Sequence, residues 1–600
     1  MRVTKVKKKI LLASISFSSY EWLPYAVGCL ISYAIKEPEI NKKYEFMEPE
    51  YRSKSLDMKD FHENLKQADI LGLTNWVWNQ NYNDRIAKLY KSYRPDGVII
   101  YGGVNVPEDE NFAKQYAKDR PFVDIFFTGP AEETFKDFLL QYHKTGFKNV
   151  QGTFTHNEFH VVKNKYQYKN IKLPSPYLDG IFDNIIKKEK GSISAIFETN
   201  RGCPYACAFC DWGGMTRSKI IKADKQQVLD TISFIMANEN IDKIEIGDAN
   251  FGIVPEDVEY TQHLIDEKKK RKNDINLTMG GFAKNGSKYV ETIMRMMHDH
   301  FDAYHGRKYI KLSFQSHSPE VLEAVGRSNI NNEKLIPMME RFQSEGVEVD
   351  AEMIIGMPGD NQDRWLETIQ RNMDLNINHQ KSFTLYVVPN TPMAMPEYQE
   401  KYKVKTKKVL VPYDLDHIKS FEYHERRLKG ETVISTCNFE DPTEYQSLEF
   451  IYECYSFDSN ELMRIYDVWF WFNTLYNAKI GREWMLKSNL TAREQYFKFI
   501  DLVEQGKMPF FAKLLENFRN AVWNTIAKPE AETRVTDLEL VNFLTKFVFR
   551  GSEVYEIYEN KDTAINELKL LYPDINFDHF RDRTTLQDKL RLYYVSAEVI

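Results

Sequence analysis

Cys203, Cys207 and Cys210 stand at C-x3-C-x2-C spacing within Glu198-Thr-Asn-Arg-Gly-Cys-Pro-Tyr-Ala-Cys-Ala-Phe-Cys-Asp-Trp-Gly-Gly214, and the 600-residue chain has only six cysteines. The preceding Ser194-Ala-Ile-Phe-Glu-Thr199 reads as a short buried strand, so the cysteines fall in the loop that follows it. An α/β barrel carries its chemistry in such loops. Three close thiolates can hold an iron–sulfur cluster, and a [4Fe–4S] cluster so held keeps one iron without a protein ligand. A structural zinc site normally closes with four ligands, and no fourth cysteine or histidine follows nearby. A disulfide framework is disfavoured, because three cysteines cannot pair off and nothing marks a secreted chain.

Upstream, residues 8–145 alternate between strand and helix. Apolar strand patterns at 9–15, 44–47, 68–74, 97–103 and 123–129 are separated by helical patterns such as 25–35 and 81–93. That rhythm implies a parallel, doubly wound, Rossmann-like sheet with ligands at the C-terminal edge of its strands. Gly102, Gly103 and Gly129 sit at that edge and let backbone approach a large ligand closely. No GxGxxG follows the first strand, which disfavours a nicotinamide or flavin dinucleotide.

Residues 151–190 read as a connector, stiffened by Leu173-Pro-Ser-Pro-Tyr177. The βα rhythm then returns over 191–400, with strand-and-loop patterns at 243–252, 276–284, 310–316, 349–359 and 382–392. With the strand before the cysteines these make six, a partial (β/α)6 barrel of TIM type. Residues 401–600 read as a mostly helical, aromatic-rich domain, with i, i+3, i+4 apolar spacing through 448–455 and 461–476, placed to cap the barrel mouth. Cys437 and Cys454 lack cluster spacing and read as ordinary core thiols. The division expected is thus 1–150, 151–190, 191–400 and 401–600.

A net charge of −7 with interspersed signs argues against broad nucleic-acid or anionic-membrane binding. The basic run 268–272 reads as the solvated end of a helix. The N-terminal apolar stretch is too short for a signal peptide, and no segment approaches a membrane span. The expectation is a cytoplasmic protein, in a reducing compartment suited to an oxygen-sensitive cluster.

Cys203, Cys207 and Cys210, with aromatic Phe209 before the last, resemble the signature of the radical S-adenosylmethionine (SAM) enzymes. The resemblance implies a [4Fe–4S] cluster whose open iron chelates SAM, with reductive cleavage to a 5′-deoxyadenosyl radical. Placed before that signature, the stretches 68–78, 100–105 and 124–135 resemble the cobalamin-binding domain of cobalamin-dependent members. The Asp-x-His-x-x-Gly cobalt-ligating motif is absent, so the lower corrin face is expected to lack histidine, with Asn75, Trp76 or Trp78 as candidates for it. Thr74, Gly102, Gly103, Gly129 and Glu132 complete the implied corrinoid side.

On the SAM side the resemblance places Gly247 and Asp248 at the methionine amino group. It places Gln315, Ser316 and Arg327 at the carboxylate and ribose, Glu352 at the ribose and Ile355 beside the adenine. The implied activity is C-methylation of an unactivated carbon: one SAM supplies the radical, and another supplies methyl through methylcobalamin. Flavodoxin or ferredoxin is the expected electron donor. Radical chemistry without methyl transfer (cyclisation, rearrangement or oxidation, with or without cobalamin) shares these motifs. A non-enzymatic cluster or cobalamin sensor would need a DNA-binding module or cobalt-ligating histidine, neither of which is evident. The sequence does not name the substrate.

Overall fold

The computed structural model describes residues 6–16, 21–52, 55–145, 150–160, 172–189, 193–212, 219–279, 288–301, 309–412, 445–477, 480–529, 532–535, 556–557, 559–574 and 576. The early strands are β1 (Lys8–Ala13), β2 (Glu21–Trp22), β3 (Tyr44–Phe46), β4 (Ile70–Thr74), β5 (Val98–Gly102) and β6 (Ile125–Phe127). All but β2 pair in parallel, in the order β3-β1-β4-β5-β6, and β7 (Thr153–Phe154) and β8 (Phe159–His160) extend the sheet antiparallel.

Side-chain alternation explains the near-continuous apolar strands. Leu11, Leu71, Ile99 and Phe126 pack on one face, against helices Lys59–Gln67, Gln80–Tyr93 and Glu110–Lys118. Ile10, Ile70, Ile100 and Ile125 pack on the other, against Tyr25–Ala34 and Glu132–Thr145. A sheet covered on both faces has no polar side to show. Strand order reverses between β1 and β4, and in open α/β sheets the crevice at such a point is where ligands bind.

The second unit holds β9 (Ile193–Phe197), β10 (Asn200–Arg201), β11 (Ile221–Lys222), β12 (Ile241–Ile246), β13 (Asn276–Met279), β14 (Tyr309–Gln315), β15 (Glu348–Ile355) and β16 (His379–Thr384). Two parallel arcs, β13-β12-β9 and β14-β15-β16, supply the six βα strands expected of a partial barrel. Unexpectedly, β2 leaves the N-terminal region to pair in parallel with β9, where Lys243 Nζ lies 4.7 Å from the Trp22 ring. Outward residues such as Ala195, Phe197 and Ile244 pack on one set of barrel helices. Leu312, Phe314, Ala351 and Met353 pack on another. Strand alternation therefore turns Lys311, Ser313, Glu352 and Lys381 inward.

The region beyond the barrel opens with a sheet, not a helix. β17 (Lys405–Pro412) pairs antiparallel with β18 (Tyr445–Glu453), and β19 (Glu532–Arg534) lies parallel to β17. The helical reading of 448–455 is thus corrected. Leu448 and Phe450 are buried around exposed Glu449, a period-two pattern. Ile451 adds an i, i+3 match that mimics a helix in so short a run.

The second helical reading holds. Ser459–Phe472 continues into a π-helical turn, Asn473–Asn477, and 468–472 are wholly core. This helix runs alongside β16, where Tyr466 bonds Thr384 at 3.2 Å and Asn477 receives the Gln380 N–H at 2.9 Å. β16 is the edge of its arc and needs that cover. Helices Ala492–Glu504, Pro509–Val522 and Lys561–Leu571 complete the region, which shares one core with β14–β16. Cys454 is buried, and Cys437 lies outside the described residues. Among the described residues no helix is long and apolar enough to cross a membrane.

Candidate active site

At the C-terminal edge of the N-terminal sheet, three asparagines fix the loop after β4. Asn75 N–H donates to Gly102 O at 2.7 Å, and its side chain donates to Leu73 O and accepts from Asn83. Asn79 Nδ2 reaches Ile15 O at 2.9 Å, and Asn83 Nδ2 reaches Thr74 O at 3.0 Å. Asn75, fully buried, is therefore spent on backbone, while Thr74 offers its carbonyl inward. Trp76 and Trp78 stack at 4.8 Å and 12°, with Trp78 38% exposed, so an aromatic face remains open at the switch point.

Gly103 (φ +96°) follows β5, and a Cβ there would stand 2.6 Å from Asn75 O. Gly102 faces open space except for Phe127, and Gly129 (φ +62°) begins the loop after β6. The result is a shallow backbone cradle beside two indoles, which suits a flat macrocycle.

The cysteine loop follows β9. Asp248, buried after β12, accepts Thr199 N–H at 2.7 Å and Asn200 Nδ2 at 2.6 Å, and also bonds the Thr199 hydroxyl. Burial pushes its carboxyl well above the usual carboxylate range. Gly202 (φ +99°) then turns the chain into Cys203. The loop is stitched to the opposite arc by Ala208 N–H to Val325 O at 2.9 Å and Met393 N–H to Ala208 O at 3.0 Å. Cys203 and Cys207 are buried and Cys210 partly exposed, with Phe209 packed on the core beside them.

Asn250 Nδ2 donates to Cys203 Sγ at 2.9 Å, and Arg327 Nη1 stands 3.9 Å from Cys207 Sγ. Among the described residues no three His, Cys, Asp or Glu side chains meet as a single ion would require. In a cubane cluster each thiolate ligates a different iron, so the sulfurs stand apart.

Around this loop buried polar atoms await partners. Asn200 Oδ1, Asn250 Oδ1 and Gln315 Oε1 are buried acceptors without a donor. Gln315 also holds φ +67°, a left-handed conformation uncommon for a non-glycine residue, at the tip of β14. Orphaned buried acceptors and a strained strand end fit a site built for a donor-bearing ligand such as an amino group.

Ser316 Oγ accepts Ser318 N–H, and Asn329 bridges Ser316 O to Arg327 Nε. The Arg327 fork also reaches Ser313 O, so it is already largely engaged. Gly247 packs its Cα side on Ile196, with its N–H on Phe197 O. Glu352 takes Lys311 Nζ at 3.1 Å and the Ser313 hydroxyl. Burial raises its pKa, but Lys311 and Lys381 outweigh that and hold it below the ordinary value. Burial brings Lys381 down to about 8. Ile355 lies in the core behind β15, and alternation gives Ile354 the inward face that Glu352 shares.

Two contacts, invisible in the sequence, turn the sheet edge toward the barrel mouth. Asn390 (φ +66°), after β16, donates to Val104 O and Val106 O and accepts Glu108 N–H at 2.9 Å. Arg201, two residues before Cys203, bonds Glu132 at 2.7 Å and Glu198 at 2.8 Å, the two carboxylates being 5% and 12% exposed. Glu132 is thus an ion-pair partner of the cysteine loop. Removing the guanidinium strands the buried Glu132 carboxylate and the part-buried Glu198, so Arg201→Met should lose about 3–5 kcal/mol of stability, read as a lower urea midpoint.

The radical SAM superfamily profile matches residues 197–371, the span from the end of β9 into the helix after β15. Over 404 residues the chain is 31% identical to the cobalamin-dependent radical SAM methyltransferase TokK of Streptomyces tokunonensis, covering 65% of this chain and 57% of that protein. The chain is thus similar to cobalamin-dependent radical SAM enzymes, with the radical SAM match confined to residues 197–371. It is also 29% identical over 404 residues to the 2-(S-pantetheinyl)-carbapenam-3-carboxylate methyltransferase of Streptantibioticus cattleyicolor, covering 65% of this chain and 57% of that one. The chain therefore spans a little over half the length of these relatives. Among solved structures, the cobalamin-dependent SAM radical enzyme OxsB with aqua-cobalamin bound superposes with a TM-score of 0.51 at 15% identity, covering 98% of this chain and 84% of OxsB. That likeness extends the shared fold across the C-terminal region.

Proposed function

We propose that this chain is a cobalamin-dependent radical SAM methyltransferase that binds a [4Fe–4S] cluster, SAM and cobalamin and methylates an unactivated carbon. The observation that carries the proposal is the facing of the two edges: the glycine-and-indole cradle after β4 and β5 looks onto the cysteine loop, held there by Asn390 and Arg201. Cys203, Cys207 and Cys210 would hold the cluster. Gln315, Asn250 and Asn200 would accept from the SAM amino group, and the chain around Gly102, Gly103, Trp76 and Trp78 would hold the corrin. When bound, these groups supply a carbon-centred radical and a transferable methyl. The chain itself orients them and excludes water and oxygen.

Residues 1–150 would serve the corrinoid, 191–400 the radical chemistry and 401–600 the substrate, with 151–190 connecting them. A flavodoxin or ferredoxin would supply electrons, in a reducing, cytoplasmic compartment. Since one relative is named for a carbapenam-3-carboxylate, bicyclic β-lactam acids are the first substrates to try.

The test is the visible spectrum of protein reconstituted without oxygen with iron, sulfide and hydroxocobalamin, then desalted. Cluster and corrinoid should both be retained, and methyl-deuterated SAM should pass label to substrate. Cluster without corrinoid would overturn the methyl-transfer reading in favour of radical chemistry without cobalamin.

A further inference from the structure

We propose that Asn250 tunes the cluster through its hydrogen bond to Cys203, raising the reduction potential. The inference rests on the cluster reading above. Asn250 lies in the loop after β12, 1% exposed, with Nδ2 at 2.9 Å from Cys203 Sγ, which is itself buried. A ligating thiolate only accepts, so the amide must turn its N–H₂ to sulfur, leaving Oδ1 toward the open site, where it has no donor. The neighbouring Phe251 is fully buried and Asn250 O accepts Ile253 N–H, which fixes the main chain that carries the amide.

Reduction adds one electron to a cluster already surrounded by thiolate charge. An N–H dipole aimed at a ligating sulfur stabilises that added charge, and does so strongly where water is excluded. Asn250 makes a short, buried contact of this kind. The guanidinium of Arg327 stands farther from Cys207, at 3.9 Å, and is committed to Asn329 and Ser313. Asn250 is thus a positioning residue: it acts on the cluster through the sulfur.

The experiment is an EPR-monitored redox titration of the anaerobically reconstituted full chain, with dithionite as reductant, comparing wild type, Asn250→Leu and Asn250→Asp. Leu keeps the volume and removes the donor, so the midpoint potential should fall. Asp puts negative charge beside the sulfur, so it should fall further. Coincident potentials for wild type and Asn250→Leu overturn the proposal. So does loss of bound iron and sulfide in both variants when circular dichroism shows them folded, since Asn250 would then serve retention. Absence of a [4Fe–4S] signal in wild type instead defeats the cluster reading, and the two failures stay distinct.

Discussion

The triple variant Cys203→Ala, Cys207→Ala, Cys210→Ala should retain hydroxocobalamin yet show no cluster absorbance and form no 5′-deoxyadenosine from SAM. The loss should be complete, because no other described side chains stand ready to replace three thiolates. The rest of the protein should be little disturbed. Cys203 and Cys207 are small buried groups, and the loop's own anchors are backbone bonds at Ala208 and Met393 plus the Asp248 network at 199–200. Iron and sulfide analysis, the 5′-deoxyadenosine assay and the corrinoid spectrum on one preparation separate these outcomes. Residual 5′-deoxyadenosine above the background without enzyme would remove the cluster from these cysteines. Loss of corrinoid as well would mean that the two edges fold as one unit, joined through Arg201.

How much of this was legible in the sequence follows from the range of each interaction. The cysteine loop and the βα rhythm were legible because they are local: spacing and alternation carry them. Gln315 and Gly247 were placed through a resemblance in the same short stretches, and the structure sets both at strand tips. What escaped is long-range or ambiguous. Glu132 and Arg201 are 69 residues apart, so nothing in either segment announces their pairing. Asn390 meets the loop after β5 from the far side of the chain. Asn79 and Asn83 did carry a weak signal, two amides four apart on one helix face just after a strand tip. Asp211, which burial and then Glu108 push up to about 7, sits between the two edges, and its environment depends on both halves. The period of 448–455 was misread because one extra apolar residue gives a strand the spacing of a helix.

A single methyl group should separate the two cofactors in the other direction. Gly103→Ala should lose most bound corrinoid while keeping the cluster. At φ +96° any side chain is strained, by about 1–3 kcal/mol, and the added Cβ would meet Asn75 O at 2.6 Å and Asn75 N at 2.8 Å. Those are backbone atoms that cannot yield cheaply. Asn75 N–H is bonded to Gly102 O, Asn75 O accepts Asn105 N–H, and its side chain ties β4 to the Gln80–Tyr93 helix through Asn83. Relief must therefore come from spreading the loops after β4 and β5, the pair that would hold the corrin. Gly346→Ala is the matched control: its φ is +76°, but nothing lies within 4 Å of its Cβ position, so it carries the conformational strain without the collision. Corrinoid per protein after desalting should drop in Gly103→Ala and stay at the wild-type level in Gly346→Ala, with iron content equal in both. Full corrinoid retention by Gly103→Ala would place the macrocycle elsewhere. The cysteine loop, facing that edge across the Asn390 and Arg201 contacts, would then need another partner for the methyl it is proposed to help transfer.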